Sequence, residues 1–200
     1  MKYSSKNQFK ISENVIGMNN PCYIIAEIGI NHNGKIDIAK KLIDVAVKAG
    51  ANAVKFQKRS LGELYREDVL NDPNIESQGF EILVDVLKEV EFSESEYNEI
   101  IQYCKDKQIT FLCTPWDGKS VDFLEKFFVP AYKVASADMT NLPLLRHIAL
   151  TNKPIIVSTG MSTMDEIEKT VSFLKNENCN FILLHCNSTY PSPIDSLNLN

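Results

Sequence analysis

Two lysines stand inside runs of apolar residues, Lys55 in AVKFQ (53–57) and Lys133 in AYKVAS (131–136). An ammonium in a buried strand costs several kcal/mol unless an anionic or hydrogen-bonding group meets it. Other apolar runs are interrupted or closed in the same way, by Glu27 in YIIAEIG, Thr114 in FLCTP, Ser158 in PIIVSTG and His185 in FILLHCNS. Side chains alternate faces along a strand. Glu27, Gly29 and Asn31 therefore share a face, as do Lys55 and Gln57, Leu112 and Thr114, Ile156 and Ser158, and His185 and Asn187. Lys133 and Ser136 have opposite parity, so one of them must sit on an irregular strand end. Gathered at one end of a sheet, these residues supply two ammonium groups, several hydroxyls, an amide and at least one carboxylate. Lysines beside hydroxyls suit a phosphate or a carboxylate, and two lysines suit a ligand that carries both. Glu27 and Asp138 are then candidates for proton transfer.

Each candidate also has a plainer reading. Glu27 and Lys55 can be a structural ion pair. Ser158 and Thr159 can simply turn the strand into Gly160. His147 falls mid-helix and reads as a surface or packing residue, His32 lies in a turn and is open to either reading, and His185 suits a polar contact best. Met161 and Met164 read as core. No His/Cys/Asp/Glu cluster shows metal-ligand spacing.

The elements that must position these groups follow from periodicity. Strands are expected at 23–28, 53–57, 110–115, 131–136, 154–159 and 181–186, with continuous apolar character that implies burial on both faces. Helices fall between them. The first has apolar positions Ile38, Leu42, Val45, Ala46 and Ala49, Asp37 as its expected cap, and Gly50 as its stop. Helices at about 80–90, 119–128 and 142–151 follow, and Ser93-x-x-Glu96 and Thr163-x-x-Glu166 are capping boxes that start two more. The segment 58–80 is polar, contains Asp72-Pro73, and exceeds the usual 2–6 residues of a βα connection, as lids and specificity loops do. Residues 1–20 are expected to form a hairpin or extension that plugs the bottom of a single domain spanning 21–200.

Alternating βα units leave a TIM barrel or an open doubly wound sheet. Neither GxGxxG nor GxxxxGK[ST] is present, and polar residues at the end of every strand favour the barrel. The expected fold is α/β, a TIM (β/α)8 barrel with only about six of its eight units. A fragment, or a sheet that closes in some other way, accounts for the count. A formal net charge of −5 argues against a nucleic-acid partner. No apolar run approaches the roughly 20 residues of a membrane span, and the N-terminus lacks the apolar region of a signal peptide. Five cysteines without a CxxC pair read as reduced thiols in a cytoplasmic protein.

The blocks IAEIGINHNG, AVKFQK, TPWD, YKVASADMTNLPLL, PIIVSTGMST and LLHCNSTYPSP, in this order from about residue 21 to 200, resemble the N-acetylneuraminate (sialic acid) synthase family. The resemblance implies condensation of phosphoenolpyruvate with N-acetylmannosamine or a related N-acylated hexosamine, with release of phosphate. It also implies a divalent metal (Mn2+ or Mg2+) and a homodimer. By matching motif it places Lys55, Thr114, Lys133, Ser136 and Ser158 on phosphoenolpyruvate, together with Ser188, where some relatives have Asn. It places Gln57, Asp138 and Tyr190 on the sugar, and makes Glu27, Lys55 and Lys133 the catalytic set. Asp138 stands where some members have Glu, one methylene longer. The family's metal-binding histidines and its antifreeze-protein-like domain lie beyond Asn200, so these 200 residues alone are expected to be inactive. Two alternatives stay open. One is a synthase of another nonulosonic or deoxy-ketulosonic acid, for instance of the legionaminic type. The other is a non-catalytic truncated paralogue.

Overall fold

A computed structural model describes residues 9–71, 81–189 and 191–199. Strands β1 (Phe9–Ile11) and β2 (Asn14–Ile16) form an antiparallel hairpin. Strand and helix then alternate: β3 (Ile25–Gly29), α1 (Ile36–Lys48), β4 (Ala53–Lys58), the short α2 (Leu61–Leu64) and α3 (Glu67–Asn71), α4 (Glu81–Val90), α5 (Glu94–Asp106) and β5 (Thr110–Pro115). After these come α6 (Gly118–Glu125), β6 (Tyr132–Val134), α7 (Leu142–Ala149), β7 (Ile155–Ser158), α8 (Met164–Asn176) and β8 (Phe181–Leu184). Single 3-10 turns occupy Ser136–Asp138 and Ile194–Ser196.

The six later strands pair in parallel, in the order β3-β4-β5-β6-β7-β8. A doubly wound sheet reverses its direction of growth at a switch point. Strictly consecutive order is the winding of a barrel. The architecture is a partial TIM-type barrel of six βα units.

Local signals place the helix ends. Both capping boxes form: Ser93 and Thr163 each accept from the backbone N–H three residues on, and the Glu96 and Glu166 carboxylates accept in return from the cap residue's N–H at 2.7 Å. Gly50, at φ +79°, ends α1 in a left-handed conformation that costs glycine nothing. One expectation fails. The cap of α1 is Lys35, without a side-chain bond, and Asp37 lies in the first turn, where its charge complements the helix dipole. The long connection after β4 holds α2 and α3, while residues 72–80, including Asp72-Pro73, lie outside the described residues.

The sheet has two faces with different partners. Outward, Val54, Phe56, Phe111, Tyr132, Val134 and Val157 pack on the helices through Ile43, Ile100, Leu124, Leu145 and Leu174. Inward, Ala53, Leu112, Ala131 and Ile156 meet Phe9 and Ile11 of the hairpin. The hairpin therefore plugs one end of the barrel. Each inward apolar residue lies two positions before a polar one (Lys55, Thr114, Lys133 or Ser158), so period 2 stacks a polar layer directly on the apolar one. Met161 and Met164 are not core: they are 69% and 67% exposed, because the loop after β7 turns outward with Met161 at φ +60°. Cys104 and Cys113 are buried, Cys22 is exposed, and Cys179 and Cys186 are intermediate; all five are free thiols. Among the described residues no helix is long and apolar enough to cross a membrane.

Ile11 is fully buried in the inner cluster and Lys10 beside it is exposed. Ile11→Ala is expected to lower unfolding free energy by about 2–5 kcal/mol in urea denaturation, and Lys10→Ala to leave it nearly unchanged. Equal midpoints for the two variants would detach the hairpin from the core.

Candidate active site

The polar layer is built around Lys55. Register sets Glu27 of β3 opposite Lys55 of β4, and Gln57 opposite Thr114 of β5. The Lys55 ammonium, only 6% exposed as a residue, reaches Glu27 Oε2 at 2.5 Å and donates to Thr114 Oγ1 at 3.0 Å. Glu27 is not the buried carboxylate that its apolar run suggests: its side chain is 53% exposed. The register shifts between Glu27 and Gly29, which places this carboxylate at the rim of the strand ends.

Lys133 supplies the second ammonium, 8% exposed, donating to Ser158 Oγ at 2.5 Å and to Val134 O at 2.9 Å. Burial, and then the charge of Lys55, lower its pKa to about 8, against the opposing pull of Cys186 and Glu27. Two like charges thus share one low-dielectric mouth. The parity conflict between Lys133 and Ser136 resolves as the sequence requires. β6 ends at Val134, and Ser136 opens a 3-10 turn from which its Oγ accepts the Gly160 N–H at 3.1 Å. A Cβ built on Gly160 would come within 2.8 Å of both Ser136 Oγ and Ser188 Oγ, so only glycine lets these hydroxyls converge there. Lys55, Thr114, Lys133, Ser136, Ser158 and Ser188 therefore come from the ends of five successive strands, β4 to β8.

A second group of residues lies beside the first. Gln57 Oε1 accepts from Arg59 Nη2 at 2.5 Å, and the Arg59 guanidinium lies over the Trp116 ring, 4.3 Å from its centroid. Asp138, at the end of the 3-10 turn, accepts from Asn141 Nδ2 at 3.1 Å, while its Oδ2 is buried without a partner. Burial raises the Asp138 pKa, Asn141 and then Arg59 pull it down, and Asp117 opposes them. Trp116 Nε1 is likewise buried and unpartnered. Arg59 and Trp116 are absent from the sequence-derived set. Arg59 was within reach of it, since it shares the parity of Lys55 and Gln57 and follows β4 directly. Tyr190 lies outside the described residues.

The remaining candidates serve structure. His32 is buried against Phe92 (ring centroids 4.1 Å), accepts the Gly34 N–H, and is lowered by burial to about 4, so it stays neutral. His185 Nε2 contacts Leu197 O at 2.7 Å, Asn187 donates to Ser196 Oγ, and both tie down the C-terminal segment. His147 pairs with Asp122 on the surface. Thr159 donates to Leu184 O, the strand-turning role of the plainer reading. Among the described residues no three His, Cys, Asp or Glu stand together as a metal site.

Comparison with known proteins agrees with this fold. The NeuB family matches residues 42–200. The chain is 39% identical to the N,N'-diacetyllegionaminic acid synthase of Campylobacter jejuni, over 88% of this chain and 54% of that protein. It is 35% identical to human N-acetylneuraminate-9-phosphate synthase, over 92% and 52%. The crystal structure of a sialic acid synthetase from Leptospira borgpetersenii, in complex with citrate, superposes with a TM-score of 0.83 at 35% identity, covering 96% of this chain and 63% of that one. The chain spans about half the length of the curated relatives it matches.

Lys133 carries its charge below about pH 8 and loses it above. Affinity for an anion that uses this ammonium should therefore fall with rising pH, about fivefold between pH 8 and 9. Calorimetric titration with inorganic phosphate reads it, and a flat profile over that interval would remove Lys133 from anion binding.

Proposed function

The chain belongs to the NeuB family, and from that premise we propose that it forms the substrate-binding mouth of a nonulosonic acid synthase. The reaction is condensation of phosphoenolpyruvate with an N-acylated mannosamine-type sugar and release of phosphate. One observation carries the reading: two buried ammonium groups, on β4 and β6, are each bonded to a hydroxyl of the next strand and feel each other's charge at the carboxyl ends of the barrel strands. That is a receptor for one small ligand with two anionic groups.

In this reading Lys55, Thr114, Lys133 and Ser158 hold the phosphate and carboxylate of phosphoenolpyruvate, with Ser136 and Ser188 completing the donor set. Charge on those groups changes as C3 attacks the sugar aldehyde, water adds at C2 and phosphate leaves. Fixed ammonium groups in a water-poor mouth stabilise that change without having to reorient. Glu27, at the rim and 2.5 Å from the Lys55 ammonium, would take the proton of the water that adds at C2. Gln57 and Asp138 meet the acceptor sugar, and Tyr190 is assigned there by its motif. Among the described residues no three His, Cys, Asp or Glu stand together to hold the divalent metal that the resemblance implies. Asp138, with its unpartnered oxygen, is the residue on which acceptor choice turns, whether the product is a sialic or a legionaminic-type acid.

Two measurements test the assignment in the protein at its full natural length. Lys55→Ala and Lys133→Ala should each lower turnover at least about a hundredfold and weaken phosphoenolpyruvate binding, with an unchanged circular dichroism spectrum. Wild-type kinetics in either variant contradicts the role given to it. Asp138→Glu should change the relative rates of N-acylated hexosamine acceptors and leave the phosphoenolpyruvate KM within about twofold. A shift confined to the phosphoenolpyruvate KM would move Asp138 to the other substrate.

A further inference from the structure

We propose that Arg59 is a positioning residue for the acceptor sugar, which fixes the Gln57 carboxamide so that its amino end faces the substrate. The inference rests on the reading that Gln57 contacts the acceptor. A carboxamide is a donor at one end and an acceptor at the other, and nothing in its shape decides which end points where. Arginine decides it here, because a guanidinium only donates. The 2.5 Å contact from Arg59 Nη2 can be made only to the Gln57 carbonyl oxygen, so that oxygen is occupied and both N–H bonds of Nε2 remain to be used. No bond from Nε2 to another described residue is formed.

The geometry shows where that amino end lies. A Cβ on Gly29 would come 3.2 Å from Gln57 Nε2 and 3.3 Å from Glu27 Oε1. The amino group therefore hangs over Gly29, beside the carboxylate that pairs with Lys55 at the mouth. Gly29, at φ +58°, leaves the room it occupies.

Arg59 is held in a way that suits this task. Its guanidinium stacks on Trp116 and makes no ion pair among the described residues, so charge pairing does not explain its place. Its backbone is fixed on both sides. Glu91 Oε2 accepts the Arg59 N–H at 3.3 Å, Lys58 Nζ donates to Arg59 O at 3.1 Å, and Asp117 Oδ2 accepts the Ser60 N–H at 2.7 Å. Trp116 is tied to the same turn, its backbone N–H donating to Lys58 O. The ring and the guanidinium thus arrive together from adjacent strand ends. The chemical consequence is specific: Gln57 reads an oxygen of the acceptor, a hydroxyl or the acyl carbonyl, and not an N–H.

The test is a double-mutant cycle on steady-state kinetics with both substrates, in the protein at full natural length. Gln57→Ala and Arg59→Met should each lower kcat/KM for the acceptor about tenfold or more. The double variant should be no worse than Gln57→Ala, and the phosphoenolpyruvate KM should stay within about twofold. Multiplying effects would make Arg59 independent of Gln57 and overturn the proposal. Gln57→Glu tests the same point with Arg59 intact, since a carboxylate keeps the arginine contact but presents only oxygens. It should lose as much as Gln57→Ala, and wild-type acceptor kinetics in that variant also overturns the proposal. An acceptor KM untouched by Gln57→Ala is a different failure, because it removes Gln57 from the acceptor site and takes the underlying reading with it.

Discussion

The constraint on which this molecule depends is the burial of two ammonium groups at one mouth. Each is less than a tenth exposed, and the charge of Lys55 is one of the two causes that lower Lys133. Removing a charge from water costs several kcal/mol, and placing another of the same sign nearby adds to it. Hydrogen bonds to Thr114, Ser158 and Val134 O and the contact with Glu27 offset part of that cost. The rest must come from packing elsewhere. The apolar layer of Ala53, Leu112, Ala131 and Ile156, with Phe9 and Ile11 pressed beneath it, lies directly below the charged layer. The hairpin and the mouth are in that sense one structure. The plug closes the barrel from below, opposite the carboxyl ends of the strands where the charged layer lies.

The Glu27 contact is of a different kind from the others. Threonine and serine hydroxyls can accept from lysine while a substrate binds the same ammonium, because lysine has three donors. A carboxylate also supplies charge, and an anionic ligand competes with it for that charge. Glu27 is half-exposed and sits on an irregular register, so it can withdraw from Lys55 without breaking a packed interior. The same contact therefore moderates the repulsion between the two ammonium groups, and under the proposed function it gives way to the doubly anionic substrate.

Much of this was legible in the sequence, and the reasons differ from residue to residue. Alternation along a strand is rigid, so parity put Lys55 on one face with Gln57, Thr114 with Leu112 and Ser158 with Ile156, and flagged that Lys133 and Ser136 need the irregular turn that the structure shows. Capping boxes are local too, and both formed. Strand number came from the periodicity of apolar runs, and polar strand ends favoured a barrel over a doubly wound sheet; which strands are neighbours, the long-range fact that decides the choice, has no local signature. The failures share a cause. Glu27, Met161 and Met164 were assigned burial by their type and immediate neighbours, whereas burial is decided by where the strand or loop ends in space. His32, in a turn, was open to either reading, and it is folded back onto Phe92, a partner 60 residues away that no period could indicate.

The two halves of the mouth carry different physical information. A pair of lysines with serine and threonine hydroxyls recognises charge, and any ligand with a phosphate and a carboxylate at the right separation satisfies it. Choice among acceptors must come from groups that tell donor from acceptor. Those lie on the other side, where Gln57 is oriented by Arg59 and where Asp138 Oδ2 and Trp116 Nε1 are buried without partners. A buried polar atom left unsatisfied costs about 1–3 kcal/mol, so neither is there without consequence. One is an acceptor and the other a donor. Both atoms are closed to solvent, so a ligand can pair with either only if the side chains around it move. Under the proposed function such groups discriminate by the end they offer, a carboxylate oxygen that takes a donor and an indole N–H that takes an oxygen, and a buried polar group left unpaired rejects an analogue more strongly than a difference in apolar contact does.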